Sequence, residues 1–427
     1  MTPAPRRPDP ALLLILLLTG LLTACQFTAP PALPRVDLTT QNWFPPITRQ
    51  QGNSCAQQAG LAYLLTAERN RQRRLSSWQP ANRLSPYQTY AILADSLTSG
   101  THVTDGWHLA RETGVPRESD FPRASRGLMH GFDKYLRASR QRPASWQLLP
   151  LRTPADLMVI KNLLAAGHPL ACDLQIRGST FKKQPDRATL VTAWGRSGPG
   201  HTMIYAGYDN TIGHDFNQDG RLTNDLDITG DGRVTLADHE LGALLVINPW
   251  GPGWGTRGRA WALPREHALS PWPRASYVAV VTSAPDSAPR LMLRLSIALT
   301  ERRHLILTAS DGTRQFQPLP FRSTPSAPVS SNPWETFGKL NRPGPPISAG
   351  PLSNPAGGPL EIGLALPTLS SRSSHYRLTL GTTGPPLRGT LHSAAFLELS
   401  PSGQILKETP LTGLPAVIPA QGLTWNN

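Results

Sequence analysis

The stretch Leu244-Leu-Val-Ile-Asn-Pro-Trp-Gly-Pro-Gly-Trp-Gly-Thr-Arg-Gly258 decides the fold. Its apolar start reads as a strand that delivers Asn248 at its end, and Trp250-Gly-Pro-Gly-Trp-Gly255 then turns the chain sharply. An asparagine so placed can hold an imidazole in one tautomer and orientation, and a tryptophan can shield that hydrogen bond from water. The competing role for Asn248 is a plain strand-end cap. Working outward, Gly200-His-Thr-Met-Ile-Tyr-Ala-Gly-Tyr208 puts His201 at the head of an apolar strand, where it can pair with a thiol across a cleft and act as base. Further upstream, Arg49-Gln-Gln-Gly-Asn-Ser-Cys-Ala-Gln-Gln-Ala-Gly-Leu-Ala-Tyr-Leu-Leu65 reads as a turn, Gly52-Asn53-Ser54, leading into a helix with Ala59, Leu61, Ala62 and Leu65 on its apolar face. Cys55 then lies at the helix N-terminus, where the dipole and free N–H groups favour the thiolate. A small buried cysteine packing a helix start is the commoner fate of a lone cysteine. A glutamine just upstream can donate its side-chain amide to a developing oxyanion.

Taken together, these segments resemble the papain-like cysteine peptidases. The Asn248 stretch is similar to the family's Asn-Ser-Trp-Gly-x-x-Trp-Gly segment, with Pro249 in the serine's place. Leu84-Ser85-Pro86, then Asp105-Gly106-Trp107 with Ala110, Gly114-Val115 and Phe121-Pro122, then Lys161 through Cys172-Asp173, follow in the family's chain order. The resemblance spans Trp43 to Ala262. It implies an α+β, papain-like fold of two lobes, one helical and one an antiparallel β-barrel-like lobe. It also implies Cys55 as nucleophile, His201 as general base and acid, Asn248 as the orienting residue, and a peptide or protein substrate cleaved through a covalent acyl-enzyme. Gln51 is the implied oxyanion donor and Gln50 the alternative, because the offset of 55 − 51 = 4 is shorter than the family's. The family's Cys-Trp is here Cys55-Ala56, as in staphopain-like bacterial relatives, and its nearby disulfide partner is missing. Cys172 falls in a strand, away from this chemistry. Too few residues separate Cys25 from Trp43 for a family-style inhibitory prodomain.

An acidic insertion, 213–240, lies between His201 and Asn248. Asp215, Asn217, Asp219 and Arg221, then Asp227, Thr229, Asp231, Arg233, Thr235 and Asp238, resemble the ligand positions of tandem EF-hand-like or dockerin-like loops, with Arg221 and Arg233 contributing backbone carbonyls. All-oxygen ligands at such spacing suit Ca²⁺ in a structural role. The first loop lacks a clear closing acid, for which Asp225 or Asp227 could substitute. A solvated acidic loop or a dockerin-like partner module are the other readings. No organic cofactor is expected.

The N-terminus reads as a lipoprotein signal peptide, residues 1–25. Arg6 and Arg7 precede an apolar run from Ala11 to Leu22, too short for an ordinary membrane span. Leu22-Thr23-Ala24-Cys25 resembles the bacterial lipobox, which implies lipidation at Cys25, attachment to a membrane through that lipid, and an extracytoplasmic place in the bacterial cell envelope, at the outer membrane or cell surface. A plain signal peptide cleaved nearby is the alternative. The 427 residues carry 3 cysteines, so no disulfide framework is present if Cys25 holds lipid. The formal charge of +14 is scattered and arginine-dominated rather than gathered in a stripe with interleaved aromatics, which argues against nucleic-acid binding.

The remaining organisation is a tether, 26–41; a peptidase-like region, 42–282; a linker, 283–290; and a β-rich region, 291–427. In the last, Leu291, Leu293, Leu295 and Ile297 alternate as a half-buried strand should, short apolar runs recur, and Asp311-Gly312 marks a hairpin. A small all-β sandwich-like domain is expected there, with a long loop rich in Pro, Ser and Gly near 323–358. Two functions compete with an active peptidase: a non-catalytic papain-fold surface binding protein, and a thiol amidase or acyl-transferase acting on cell-wall peptides.

Overall fold

The structure, a computed structural model, describes residues 33–94, 96–125, 127–184, 188–302, 304–318, 351–354, 356–382, 384–418 and 422–427. The signal segment with Cys25, the first part of the tether (26–32) and most of the loop at 323–358 lie outside the described residues. β1 (Arg35–Asp37) leads to the turn before Cys55. There α1 (Cys55–Gln57) runs without a break through a π-helical stretch (Gln58–Leu65) into α2 (Thr66–Arg73). α3 (Tyr87–Leu93), α4 (Val103–Thr113) and α5 (Phe132–Ala138) follow. The apolar spacing around Leu61 and Leu65 seats the Cys55 helix in the core, where Ala56, Ala59, Leu61, Leu64 and Leu65 are all buried. Gly60 lets α4 approach closely, because a Cβ there would stand 2.4 Å from Val103 Cγ2; Trp107 Nε1 donates to Gly60 O at 3.0 Å.

β2 (Pro143–Pro150), α6 (Pro154–Ala165), β3 (Leu170–Arg177), β4 (Thr180–Lys183), β5 (Thr189–Ala193), β6 (Ser197–Gly213), β7 (Leu241–Ile247), β8 (Arg259–Ala262), α7 (Arg265–Ala268) and β9 (Tyr277–Ser283) come next. α6 starts at a full capping box between Thr153 and Asp156, with Pro154 at the first helical position. The nine strands order as β2-β9-β3-β6-β7-β8-β5-β4, with β1 on β6; every pairing is antiparallel except β5 with β8. β3, β6 and β7 sit at its centre and are buried over most of their length, so their sequences read as continuous apolar runs rather than alternation.

β10 (Leu291–Leu299), β11 (Leu305–Ser310), β12 (Gln315–Phe316), β13 (Leu360–Ala365), β14 (Arg377–Thr382), β15 (Gly389–Leu399), β16 (Ile405–Pro410), β17 (Ala416–Ile418) and β18 (Leu423–Asn426) form two antiparallel sheets, β13-β10-β15-β16 with β17 beside β15, and β12-β11-β14-β18. The Asp311-Gly312 turn joins β11 to β12, where Ala309 faces Phe316. Leu291, Leu293, Leu295 and Ile297 are buried as the alternation requires. Met292, out of phase with them, is buried too, because α5 covers the other face of this sheet, packed on the neighbouring strand β13. Gly363 permits this: a Cβ there would stand 2.8 Å from Tyr135 Cβ and 3.1 Å from Met292 Cε.

One apolar core therefore runs from α3, α4 and α5 into β10, β13 and β15, and includes Leu93, Leu109, Phe132, Tyr135, Leu293 and Phe396. The segment 283–290, read as a linker, is tied down: Asp286 pairs with Arg73 at 3.0 Å and Arg140 at 2.8 Å. Residues 35–427 make one compact unit, and of residues 1–34 Leu33 and Pro34 alone are described. The protein is a mixed α/β protein with extensive sheets and few helices. Among the described residues no helix is long and apolar enough to cross a membrane.

Candidate active site

Gly52, with φ of +51°, makes the turn that presents Cys55; a Cβ there would meet Leu97 O at 2.2 Å. Asn53 N donates to Leu97 O at 2.8 Å and Gln58 N to Ser54 O at 2.8 Å, so Ser54 is the last residue before the helix and Cys55 its first. The Asn248 segment is fastened to the same turn. Gln50 N donates to Pro249 O at 2.7 Å, and Arg49 bridges Trp250. Pro249 fits where the resemblance implies serine because its carbonyl, not its missing N–H, makes this contact.

His201 is buried on β6, and its Nε2–H donates to Asn248 Oδ1 at 2.9 Å. Trp250 N also donates to Asn248 Oδ1, at 3.0 Å. Two donors converging on one atom fix it as the oxygen, so the imidazole carries its proton on Nε2 and keeps a lone pair on Nδ1. The Trp250 ring lies 4.9 Å from the imidazole, centroid to centroid, and shields the bond. The next backbone amide, Thr202, hydrogen bonds the half-buried Cys55 sulfur. Cys55, His201 and Asn248, more than a hundred residues apart at the extremes, are thus gathered around one strand and one turn.

The electrostatics run against the expectation of a lowered thiol. Burial pushes Cys55 up to about 11, the Thr202 amide opposes it, and the Asp173 carboxylate adds to it. Burial likewise pulls His201 down to about 4, against the Asn248 hydrogen bond. Desolvation outweighs the helix dipole here, and both groups favour their neutral forms. Cys172 is fully buried, its thiol also pushed up by burial. Neither upstream glutamine donates to the Cys55 sulfur. Gln50 is buried, with Nε2 turned onto Gly52 O at 2.7 Å and Oε1 without a partner among the described residues; Gln51 is half-buried.

Beside the sulfur lies an ion pair that sequence reasoning missed. Asp173 faces Thr202 across the β3–β6 ladder and pairs with Arg274 at 3.0 Å. The signal was a carboxylate inside the apolar run Leu170-Ala-Cys-Asp-Leu174.

The acidic insertion folds as two similar turns. Asp215 accepts from Gln218 N at 2.6 Å and Gly220 N at 3.0 Å, and Asp219 accepts from Arg221 N at 2.8 Å. Asp227 accepts from Gly230 N and Gly232 N, both at 2.7 Å, and Asp231 from Arg233 N at 2.9 Å. Asp238 closes the second loop by accepting from Thr229 N at 2.9 Å and Thr235 N at 2.7 Å. The first loop has an unforeseen counterpart: buried Glu240 accepts from Phe216 N at 2.7 Å and Thr223 N at 3.2 Å. Asn217 Nδ2 donates to Asp219 Oδ2 at 3.0 Å, and Asp225 accepts from Thr223 Oγ1. Among the described residues no three His, Cys, Asp or Glu side chains gather closely enough to hold a metal ion. The donor chemistry, all oxygen, nevertheless fits a hard cation.

No protein-family model matches the chain, and no curated protein does. Among solved structures it is similar to xylellain, a cysteine protease from Xylella fastidiosa, at 16% identity and a TM-score of 0.40, covering 59% of this chain and 87% of that one. It is also similar to digestive procathepsin L 3 of Tenebrio molitor larval midgut, at 14% identity and a TM-score of 0.39, covering 60% and 71%. Likeness at this level assigns no activity.

Proposed function

We propose that this protein is a papain-like cysteine peptidase. The observation that carries the reading is the site's convergence: His201 held by Asn248 under Trp250, on the strand whose next amide meets the Cys55 sulfur. In this reading Cys55 passes its proton to His201 Nδ1 as the sulfur attacks a peptide carbonyl carbon. The imidazolium returns that proton to the departing amine, and water cleaves the thioester. Gln51, or Gln50 once its amide leaves Gly52 O, donates to the oxyanion. The test is labelling with an epoxysuccinyl thiol probe. Wild type should be modified at Cys55 and Cys55→Ala should not; an unmodified Cys55, with and without Ca²⁺, would refute the reading.

The raised thiol and the turned Gln50 amide favour a second reading, a papain-like scaffold that binds without catalysis; the same unlabelled outcome would support it. Acyl transfer to an amine, the reaction of a cell-wall amidase or transferase, would appear as an amine-dependent product. Ca²⁺ is proposed as a structural ion of the insertion, held by Asp215, Asn217, Asp219 and the Arg221 carbonyl in one loop, closed by Glu240, and by Asp227, Thr229, Asp231, the Arg233 carbonyl, Thr235 and Asp238 in the other. Attachment to the cell envelope through lipid on Cys25 is proposed from the lipobox. Palmitate incorporation that disappears in Cys25→Ala would support it, and incorporation that persists would not.

A further inference from the structure

Arg274 occupies a one-turn helix (Pro273–Ser276) just before β9. Its Nη1 pairs with Asp173 Oδ2 on β3 at 3.0 Å and also donates to His102 Nδ1, at the residue before α4. The Trp272 ring lies under the guanidinium at 5.1 Å. The other end of this contact reaches the nucleophile helix, because Gln57 Nε2 donates to His102 O at 2.8 Å and to Thr101 Oγ1 at 3.1 Å. Gly106 makes room for that side chain, since a Cβ there would stand 1.8 Å from Gln57 Oε1. The contacts close into a circuit: Cys55 helix, Gln57, His102, Arg274, Asp173, then across the ladder to Thr202, whose amide returns to the Cys55 sulfur.

We propose that Arg274 is a positioning residue for the Cys55 nucleophile: it neutralises the buried Asp173 carboxylate beside the sulfur and ties the nucleophile helix to strand β3. Asp173 is fully enclosed, and its carboxyl is pushed up by burial and pulled back by Arg274. A carboxylate left uncompensated there would oppose formation of a thiolate. The guanidinium can only donate, so His102 Nδ1 must be the accepting nitrogen of a neutral ring. Among the described residues, the charged and titratable groups near Cys55 include Asp173 from β3, His201 next to Thr202 on β6, Arg274 and His102 from the circuit, and Tyr90 from α3.

This inference rests on Cys55 being the reactive thiol, but its test needs no peptide hydrolysis. The full chain is treated with iodoacetamide across a pH series, and modification is read at the Cys55 peptide by mass spectrometry. Net local charge sets the expected order. Arg274→Met, leaving the carboxylate alone, should raise the pH midpoint by about one unit, or about tenfold slower modification at a fixed pH below it. Asp173→Asn, leaving the cation alone, should lower it. The double variant and Arg274→Lys should fall near wild type. Packing damage would not produce that order. An unmoved midpoint in Arg274→Met, or a double variant as slow as Arg274→Met, would overturn the proposal. If Arg274→Met does not fold, Asp173→Asn decides alone, because an unmoved or raised midpoint in it overturns the proposal equally.

Discussion

At the scale of single residues, burial drives both the Cys55 thiol and the His201 imidazole toward their neutral forms. With Cys55 pushed up to about 11, the thiolate fraction falls tenfold per pH unit below that value, so alkylation of Cys55 should climb steadily through neutral and alkaline pH. A flat profile from about pH 5 to 8 would instead mark a preformed thiolate–imidazolium pair and contradict the desolvation argument. Asn248→Ala removes the acceptor that holds His201 Nε2–H at 2.9 Å. It should lower kcat/KM for a peptide substrate by about 10² or more, the range in which a positioned acid–base group contributes. Activity within a factor of about two of wild type would make Asn248 a strand cap after all. The residue types were legible: a cysteine at a helix start, a histidine at a strand head, an asparagine at a strand end. The direction of their pKa shifts was not, because burial depends on what α4 and the central strands bring against them.

At the scale of elements, the turn before Cys55 and the acidic insertion each depend on a residue with no substitute. Gly52→Ala would meet Leu97 O and adopt a left-handed conformation, so it should destabilise by about 1–2 kcal/mol or more and slow Cys55 labelling together. A change in thermal midpoint with no change in labelling would separate the turn from the site. In the insertion, Glu240 grips two amides of the first loop as Asp238 grips two of the second, but Glu240 does so from beyond its loop's motif. Ca²⁺ should raise the thermal midpoint of wild type and EDTA should lower it. Glu240→Gln should shrink that response, whereas Asp225→Asn should leave it intact; the reverse pattern would return the closing role to Asp225. The spacing of the acidic residues was legible, but Glu240 was not singled out, because it reaches back from just before β7, beyond the first motif.

At the scale of the whole molecule, the C-terminal sheets and the helices α3 to α5 share one core, so neither is expected to stand without the other. A chain ending at Ser287 would uncover Met129, Phe132 and Tyr135, and should be insoluble or protease-sensitive. Leu293→Ala, at a fully buried position far along the chain from Cys55, should cost about 2–5 kcal/mol of stability. A soluble truncation that labels at Cys55 like the full chain would show the core to be dispensable. The molecule should also weaken in acid. His108, His201 and His267 are each held near 4 by burial, against an ordinary 6.5. The unfolded chain therefore takes up protons that the folded chain refuses, and stability falls as pH drops from about 6.5 towards 4. A urea midpoint unchanged between about pH 7 and 5 would contradict this. The sequence alone determined that a helix starts at Cys55, that strands carry His201 and end at Asn248, and the order in which the cysteine, histidine and asparagine follow one another, since periodicity and turn chemistry are local. Tertiary structure decided what those residues face: Pro249 O bound to Gln50, Asp173 paired with Arg274, Glu240 accepting from two amides of the first acidic loop, and α5 lying on β13. Each of these joins segments far apart in the chain, and such pairings depend on packing and charge compensation that no local pattern encodes.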